Sequence, residues 1–249
     1  MTTKDATSPM PRSDPLDPSL GRKSIEDHAL VLFFGAIGWP WLLKSLSGGT
    51  KRARRALLEL LRLPAEALPA LGSWKADAGF LRLIAETIFG QKPKTVVEFG
   101  AGATTLVAAR ALKLADAGSL TSFDQHADYV ESVRRWLNEY GLAADMRLAP
   151  LTRRIADWPG RWYDHGAVPD AIDLLIVDGP HWAVHPYGRG AADSLFDRIS
   201  PGGTVLLDDA SRPGERIVAN RWKKRWPHFR FELVESGTKG TLVGTRTGA

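Results

Sequence analysis

The 249-residue sequence contains no cysteine, which excludes disulfides, cysteine-based zinc sites and cysteine nucleophiles and is compatible with a reducing cytoplasm. It also lacks an RNA-recognition aromatic motif and a zinc knuckle, so nucleic acid is not the expected partner despite a net charge of +5. Basic residues are densest in Lys51–Arg55 and Arg221–Trp226. We interpret both clusters as solvated helix faces, with anionic lipid or an acidic substrate as the alternative.

The sequence has no apolar run of membrane-spanning length. Ala29–Leu43 carries no charge, but its 15 residues fall short of the roughly 20 that a helical span needs. Pro40 weakens a straight helix here, whereas Trp39 and the nearby Lys51–Arg55 suit a lipid headgroup interface. Three interpretations stay open for residues 29–43: a buried or lid-forming segment, a peripheral membrane contact, and a true span.

The domain organisation follows from composition. Residues 1–23 are rich in Pro, Ser, Thr and Asp and lack the pattern of a signal peptide, which predicts a disordered tail. Residues 24–73 form a helical and apolar extension, and residues 74–249 form one α/β domain. We expect a cytoplasmic protein, with peripheral contact to the inner face of the membrane as the open variant.

From residue 95 onward, apolar strands alternate with helical patterns. The near-continuous apolar character of the strands favours a parallel sheet covered on both faces. Strands are predicted near 95–99, 119–123, 145–148, 172–177 and 203–208, and helices near 103–114, 127–140, 190–199 and 213–225.

The first strand leads into a glycine-rich turn and a helix start, in the order Glu98-Phe-Gly100-Ala101-Gly102-Ala-Thr104-Thr105. Such turns let the backbone approach a ligand closely. Thr105 stands where a dinucleotide-binding turn has its third glycine. Glu98 suits a cofactor with a cationic amino-acid moiety and no phosphate, which describes S-adenosylmethionine. The alternative is an ordinary strand–turn–helix connection.

The second predicted strand, Ser119–Asp124, also ends in an acid and is followed by Gln125. Asp124 lies about 20 residues beyond the glycines, where an acid binds ribose hydroxyls in nucleotide folds. Asp124 also suits a helix N-cap, and the two roles are compatible.

These motifs resemble the class I S-adenosylmethionine-dependent methyltransferases over residues 74–244. Glu98–Thr105 is similar to the first motif of that family, and Asp173–Pro180 and Gly202–Asp209 are similar to its fourth and fifth strands. The resemblance implies a Rossmann-like, seven-stranded, mostly parallel sheet with helices on both faces and a C-terminal antiparallel hairpin over residues 229–245. It implies that the cofactor contacts Glu98, Gly100, Ala101, Gly102, Thr104, Thr105, Asp124, Gln125 and Asp178.

Three carboxylates, Asp178, Asp208 and Asp209, stand at predicted carboxyl ends of strands. Converging carboxylates suit Mg²⁺ or another divalent cation, and the pattern resembles the metal-dependent O-methyltransferases. The alternative is that these acids cap a helix and form ion pairs. His181 is placed to act as a general base beside Asp178, and Arg212 either holds an anionic substrate group or forms a salt bridge.

The expected function is transfer of a methyl group to a hydroxyl of a small molecule, sugar or lipid-linked glycan. Asp178 and His181 are the expected catalytic residues. Two other classes stay open: an NAD-dependent Rossmann oxidoreductase, and a non-catalytic, membrane-associated protein that binds the cofactor. The polar and aromatic segment 152–170, which contains Trp158 and Tyr163, leads toward the ligand-binding edge of the sheet or anchors a packed surface.

Overall fold

A computed structural model describes residues 25–73, 75–153, 157–235 and 237–248. The predicted tail 1–23 and the predicted boundary residue Trp74 lie outside the described residues, so the division at residue 74 stays a prediction. The helices are α1 (Ile25–Ser45), α2 (Lys51–Leu60), α3 (Ala78–Gln91), α4 (Ala103–Ala115), α5 (Ala127–Glu139) and α6 (Pro213–Arg225). The strands are β1 (Thr95–Phe99), β2 (Ser119–Asp124), β3 (Asp145–Leu148), β4 (Leu151–Thr152), β5 (Trp162–Tyr163), β6 (Ile172–Val177), β7 (Ile199–Leu207), β8 (Phe229–Val234) and β9 (Thr241–Arg246).

Within the described residues, seven strands form one sheet in the order β3-β2-β1-β6-β7-β9-β8. The pairs from β3 through β7 are parallel, and β9 is antiparallel to both β7 and β8. The predicted Rossmann-like sheet with a C-terminal antiparallel hairpin is therefore confirmed. Chain order reverses between β1 and β6, and open α/β sheets bind ligands at the carboxyl ends of strands at such a reversal.

Each central strand is buried on both faces, as its apolar run predicts. Val96 and Leu174 belong to the core layer packed by α2 to α5. Val97 and Leu175, one residue further on in each strand, belong to the opposite layer, which α6 and the loop aromatics fill. This alternation explains why the strands read as continuous apolar runs rather than as alternating ones.

The N-terminal extension is joined to the core. Leu57 and Leu61, within and just after α2, are fully buried in the same layer as α3 and α4. Asp77 caps α3 through its contact with the Phe80 N–H and also accepts a 2.7 Å hydrogen bond from the Thr238 hydroxyl of the C-terminal hairpin. Among the described residues, no helix is both long and apolar enough to cross a membrane, so the span interpretation of residues 29–43 receives no support.

One predicted helix has a different form. The segment near 190–199 is a 3₁₀ helix over Gly188–Arg198, and β7 begins at residue 199 rather than near 203. The Gly190 carbonyl accepts a 2.9 Å hydrogen bond from the Trp222 indole N–H, so a tertiary donor occupies an acceptor that an α-helix would use internally. Tertiary packing has overridden the local pattern here.

Candidate functional site

The carboxyl ends of β1 and β6 meet at two glycines. Gly100 has φ of +94° and donates its N–H to the Phe123 carbonyl at 2.9 Å, which ties the turn to β2. The Gly179 N–H donates to the Phe99 carbonyl at 2.8 Å. A Cβ on Gly100 would lie 2.5 Å from the Gly179 nitrogen, so the two loops approach closely only because this residue has no side chain.

This meeting point forms the wall of a cleft with about 680 Å³ of empty space, part of it open to solvent. The cleft collects six of the nine predicted cofactor residues together with predicted catalytic residue His181. The described lining residues are Pro69, Lys75, Ala76, Gly100, Ala101, Gly102, Ala103, Asp124, Gln125, His126, Tyr129, Tyr163, Asp178, Gly179, His181 and Arg189.

Glu98 lies behind the glycine turn, outside the lining of the cleft. Its carboxylate is fully buried and accepts hydrogen bonds from the Thr105 hydroxyl at 2.6 Å and the Ser122 hydroxyl at 2.5 Å. Burial raises the pKa of Glu98 to about 7, against the opposing effect of its hydrogen bonds. Thr104 and Thr105 are also buried below the surface of the turn. The structure thus gives these three residues the geometry of a support for the turn.

Asp124 reaches the cleft from the end of β2. Its carboxylate accepts hydrogen bonds from the backbone N–H groups of Ala101, at 3.2 Å, and His126, at 3.0 Å. Burial raises the pKa of Asp124 to about 7 despite these bonds. The same side chain therefore holds the glycine turn and caps the loop before α5, while it faces the cleft where a ribose acid is expected.

Tyr163 forms an aromatic wall of the cleft. It comes from β5, a short strand in the segment 152–170, and its ring lies 5.3 Å from that of Phe99 between centroids. A Cβ on Gly179 would lie 2.0 Å from the Tyr163 hydroxyl, so the tyrosine sits directly on the β6 loop. Burial raises the pKa of Tyr163 well above its usual range, which keeps the hydroxyl protonated. Trp158 and Trp162 instead pack in the core, as the anchor interpretation predicts.

The three predicted carboxylates do converge. Asp178, Asp208 and Asp209 each offer an oxygen, and these oxygens lie within 4.8 Å of one another. Asp209 has φ of +62°, a conformation that residues with a side chain seldom adopt. The strained turn directs two consecutive carboxylates into the cluster from the end of β7.

Three buried cations from the protein share this cluster. Arg189 and Arg212 contact Asp209 Oδ2 at 2.9 and 2.8 Å, so the predicted salt bridge of Arg212 is confirmed. The Lys239 ammonium lies 3.3 Å from Asp209 Oδ1 and 3.6 Å from Asp208 Oδ2, and donates to the Lys75 carbonyl at 2.7 Å.

These cations set the charge of the cluster. Burial alone would raise the pKa of Asp209, but Arg212, Lys239 and Arg189 together lower it below its usual range. Burial and Asp209 raise the pKa of Asp208 to about 6, against Lys239. A divalent cation here would share the cluster with three cationic side chains, which already pair with Asp208 Oδ2 and with both oxygens of Asp209. The donor atoms are of the right type for a metal ion, but these ion pairs compete with one, and the metal site stays a prediction.

His181 lies in the cleft, but its environment disfavours the general-base role. Burial and the charges of Arg212 and Arg189 lower its pKa to about 3. Its Nδ1 accepts a hydrogen bond from the Ala183 N–H at 3.2 Å, which leaves the proton of the neutral ring on Nε2. The ring in this tautomer offers the cleft a hydrogen-bond donor.

The comparisons with known proteins match this geometry. Residues 97–210 match the sequence profile of a family described as a methyltransferase domain. These residues form a domain of the kind found in S-adenosylmethionine-dependent methyltransferases. No curated protein sequence matches it.

Solved structures of methyltransferases share its fold at low sequence identity. One is a methyltransferase from Geobacter sulfurreducens, with 19% identity and a TM-score of 0.52 over 80% of this chain and 91% of that chain. Another is an O-methyltransferase from Bacillus cereus in complex with S-adenosylhomocysteine, with 12% identity and a TM-score of 0.51 over 88% and 97%. The O-methyltransferase TomG from Streptomyces achromogenes, in complex with S-adenosylmethionine, has 16% identity and a TM-score of 0.50 over 90% and 100%.

Several site residues of this methyltransferase were not predicted. Arg189 comes from the 3₁₀ segment and Lys239 from the turn before β9, and neither lies in a recognisable motif. Tyr129 lies in the cleft, in the first turn of α5, where only the position of the helix after Asp124 could have indicated it. Tyr163 was noted in a segment leading to the cleft, without a role.

Proposed function

We propose that this enzyme transfers the methyl group of S-adenosylmethionine to a hydroxyl oxygen of a small molecule, a sugar or a lipid-linked glycan. The observation that carries the proposal is the position of Asp178. Its carboxylate, 13% exposed, lies in the same cleft as the glycine turn and Asp124. A cofactor held by the turn and an acceptor deprotonated by Asp178 would share one space.

In the proposed reaction the acceptor oxygen attacks the methyl carbon as the bond from carbon to the sulfonium sulfur breaks. The hydroxyl proton passes to the Asp178 carboxylate, and the products are a methyl ether and S-adenosylhomocysteine. Asp178 Oδ1 is buried and lies 3.8 Å from the Arg189 guanidinium, so a substrate hydroxyl would approach the exposed part of the carboxylate, which lines the cleft. Burial and Asp208 raise the pKa of Asp178 well above its usual range, although Arg189 and Lys239 oppose the shift. A carboxyl with a raised pKa is the better base for a hydroxyl.

The neighbouring groups would position the acceptor. His181, neutral, would donate a hydrogen bond from Nε2 to an acceptor oxygen. The Tyr163 hydroxyl, also neutral, can donate or accept at the β6 loop. Arg189 donates to the Asp178 carbonyl at 2.6 Å and to the Pro180 carbonyl at 3.1 Å, so it would fix the loop that carries the base.

The finer question is how the negative charge on the reacting oxygen is stabilised. A divalent cation at Asp178, Asp208 and Asp209 would do so as a Lewis acid. We favour instead the positive charge of Arg189 and Lys239, because these side chains already contact the cluster. The names of two structural neighbours support an oxygen acceptor, since both are O-methyltransferases bound to S-adenosylmethionine or its product.

The proposal is tested first by calorimetric titration with S-adenosylhomocysteine and with NAD. We expect S-adenosylhomocysteine to bind, and to bind more tightly than NAD. Turnover is then followed as S-adenosylhomocysteine release with a panel of hydroxyl-bearing acceptors. Asp178→Asn should lower turnover by about 10²–10⁴-fold, the usual contribution of a general base, while cofactor affinity changes little.

The matched control is Asp145→Asn, which neutralises an exposed carboxylate at the start of β3. This variant should leave both turnover and cofactor affinity unchanged. Preferred binding of NAD would point to an oxidoreductase. Cofactor binding without turnover on any acceptor class would favour a non-catalytic role, and a wild-type rate for Asp178→Asn would remove Asp178 as the base.

A further inference from the structure

Helix α1 has one face on the protein and one in solvent. Phe34 packs edge to face on Tyr187, with 5.3 Å between ring centroids, and Gly38 is buried. On the other side, Leu32 is 74% exposed and Trp39 is 57% exposed. Since residues seven apart lie on the same side of a helix, Ile25, Leu32 and Trp39 form one exposed row, which Leu43 widens. Leu46, exposed in the turn just after the helix, continues it. We call these five residues the α1 stripe.

The exposed part of α1 is apolar without interruption. Between His28 and Lys44 the sequence has only apolar residues, so each exposed side chain there is apolar as well. A row of large exposed hydrophobic side chains on a helix of a soluble domain marks an interaction surface. Because no described helix can cross a membrane, the stripe would lie along a surface rather than through one.

The charges that follow the stripe along the chain are all positive, whereas Glu26 and Asp27 stand at its amino-terminal end beside Ile25. Lys44, Lys51, Arg52 and Arg55 are exposed and follow the stripe along the chain. No aspartate or glutamate occurs between Asp27 and Glu59. A helix face that is apolar and bordered by cations complements a surface with an apolar interior and an anionic outer layer. That is the structure of an anionic bilayer, and a Trp at the boundary suits the headgroup layer.

We propose that the α1 stripe docks this enzyme on the surface of an anionic lipid bilayer. The face of α1 that packs on the protein lies beside the cleft, so docking of α1 would place the cleft near the bilayer. A Cβ on Gly35 would lie 3.2 Å from the ring of Trp182, the residue after His181, so α1 rests on the loop that borders the cleft. Docking would bring the bilayer beside that loop. The proposal does not rest on the acceptor chemistry, because docking is measurable without turnover.

The test is flotation of the full-length protein with vesicles of phosphatidylcholine and phosphatidylglycerol at about 3:1, compared with pure phosphatidylcholine. The wild type should float with the anionic vesicles and much less with the neutral ones. Leu32→Glu/Trp39→Glu should lower the floated fraction about tenfold or more. Its matched control is Leu148→Glu/Leu233→Glu, which places the same charges on the exposed faces of edge strands β3 and β8 and should float like the wild type.

A second pair of variants tests the charges. Lys51→Glu/Arg52→Glu should reduce flotation with anionic vesicles. Lys92→Glu/Lys94→Glu, an equal change of net charge at the opposite, amino-terminal edge of β1, should not. Binding of S-adenosylhomocysteine by every variant checks that it is folded. Wild-type protein that stays with the dense fraction overturns the proposal, as does flotation of the Leu32→Glu/Trp39→Glu variant. A dimer that this variant converts to a monomer, without vesicle binding, would assign the stripe to a second copy of the chain.

Discussion

Replacing Lys239 by methionine tests whether the acid cluster is held by protein cations. The Lys239 ammonium is buried between Asp208 and Asp209, at 3.6 and 3.3 Å from their oxygens. Methionine keeps most of the side-chain volume and removes the charge. Asp208 is the residue most affected, because both of its carboxylate oxygens are buried and accept no hydrogen bond from the described residues.

The expected cost is large because the variant leaves a buried charge without its partner. Removing one partner of a buried ion pair costs about 3–5 kcal/mol. For a chain of this size each kcal/mol lowers the midpoint of thermal unfolding by about 2–4 °C, so Lys239→Met should melt roughly 6–20 °C below the wild type at pH 8. Arg189 and Arg212 still contact Asp209, which keeps the loss within that range.

The loss should also depend on pH, and its direction follows from Asp208. The pKa of Asp208 is about 6 in the folded wild type, above its value in the unfolded chain, so its burial costs stability that grows as pH rises toward 6. Lys239 lowers that pKa. Without Lys239 the pKa rises further, and the cost continues to grow above pH 6. The difference between wild type and variant should therefore be smaller at pH 6 than at pH 8.

Urea unfolding at pH 6 and pH 8 measures both effects. Lys113→Met is the matched control, since the ammonium of Lys113 also donates to a backbone carbonyl, that of Gly141 at 2.7 Å, but on the surface. It should change stability by about 0.5 kcal/mol or less. Asp208→Asn in the Lys239→Met background should recover most of the pH-dependent part. A loss below about 1 kcal/mol at both pH values, compared with the 3–5 kcal/mol of a broken buried pair, would refute the argument.

Two further predictions concern the cofactor and the metal. The pKa of Asp124 is about 7, and its charged form accepts hydrogen bonds best, so S-adenosylhomocysteine should bind more tightly at pH 8 than at pH 6. Asp124→Asn should weaken this binding by about 1.5–3 kcal/mol and make it less dependent on pH. Calorimetry at three pH values measures this, and an unchanged profile in Asp124→Asn would contradict it. EDTA should leave methyl transfer unchanged, and added Mg²⁺ should not accelerate it. Loss of activity in EDTA with recovery in Mg²⁺ would show instead that the reaction uses a divalent cation.

Much of the fold could be predicted because its signals are local. Strands β1, β3 and β6 and helix α6 have the predicted bounds, since continuous apolar runs and a Pro at a helix start are read directly from the sequence. The glycine turn and Asp124 were predicted for the same reason. A close backbone approach and an acid after a strand are properties of a few adjacent residues, and the topology then brings them to one edge.

The prediction was less complete where a role depends on distant packing. His181 was expected to act as a base from its position after Asp178. Its pKa, however, depends on Arg189 and Arg212, which lie in other segments of the chain. Glu98 was expected to contact the cofactor, yet Ser122 from the neighbouring strand and Thr105 from α4 hold it behind the turn. Its direct contact with a ligand stays a prediction.

The acid cluster shows most clearly how far the chemistry of the site can be predicted from the sequence. Asp178, Asp208 and Asp209 were placed together correctly because parallel strands bring their carboxyl ends to one edge. The same three carboxylates suit either a divalent cation or a set of ion pairs, and nothing in their own sequence decides between the two. Lys239 favours the ion pairs, and it lies in the turn of the hairpin, which reaches the cluster only because β9 pairs antiparallel to β7. A residue at that turn can therefore change the chemistry of the site while every motif on the parallel strands stays the same.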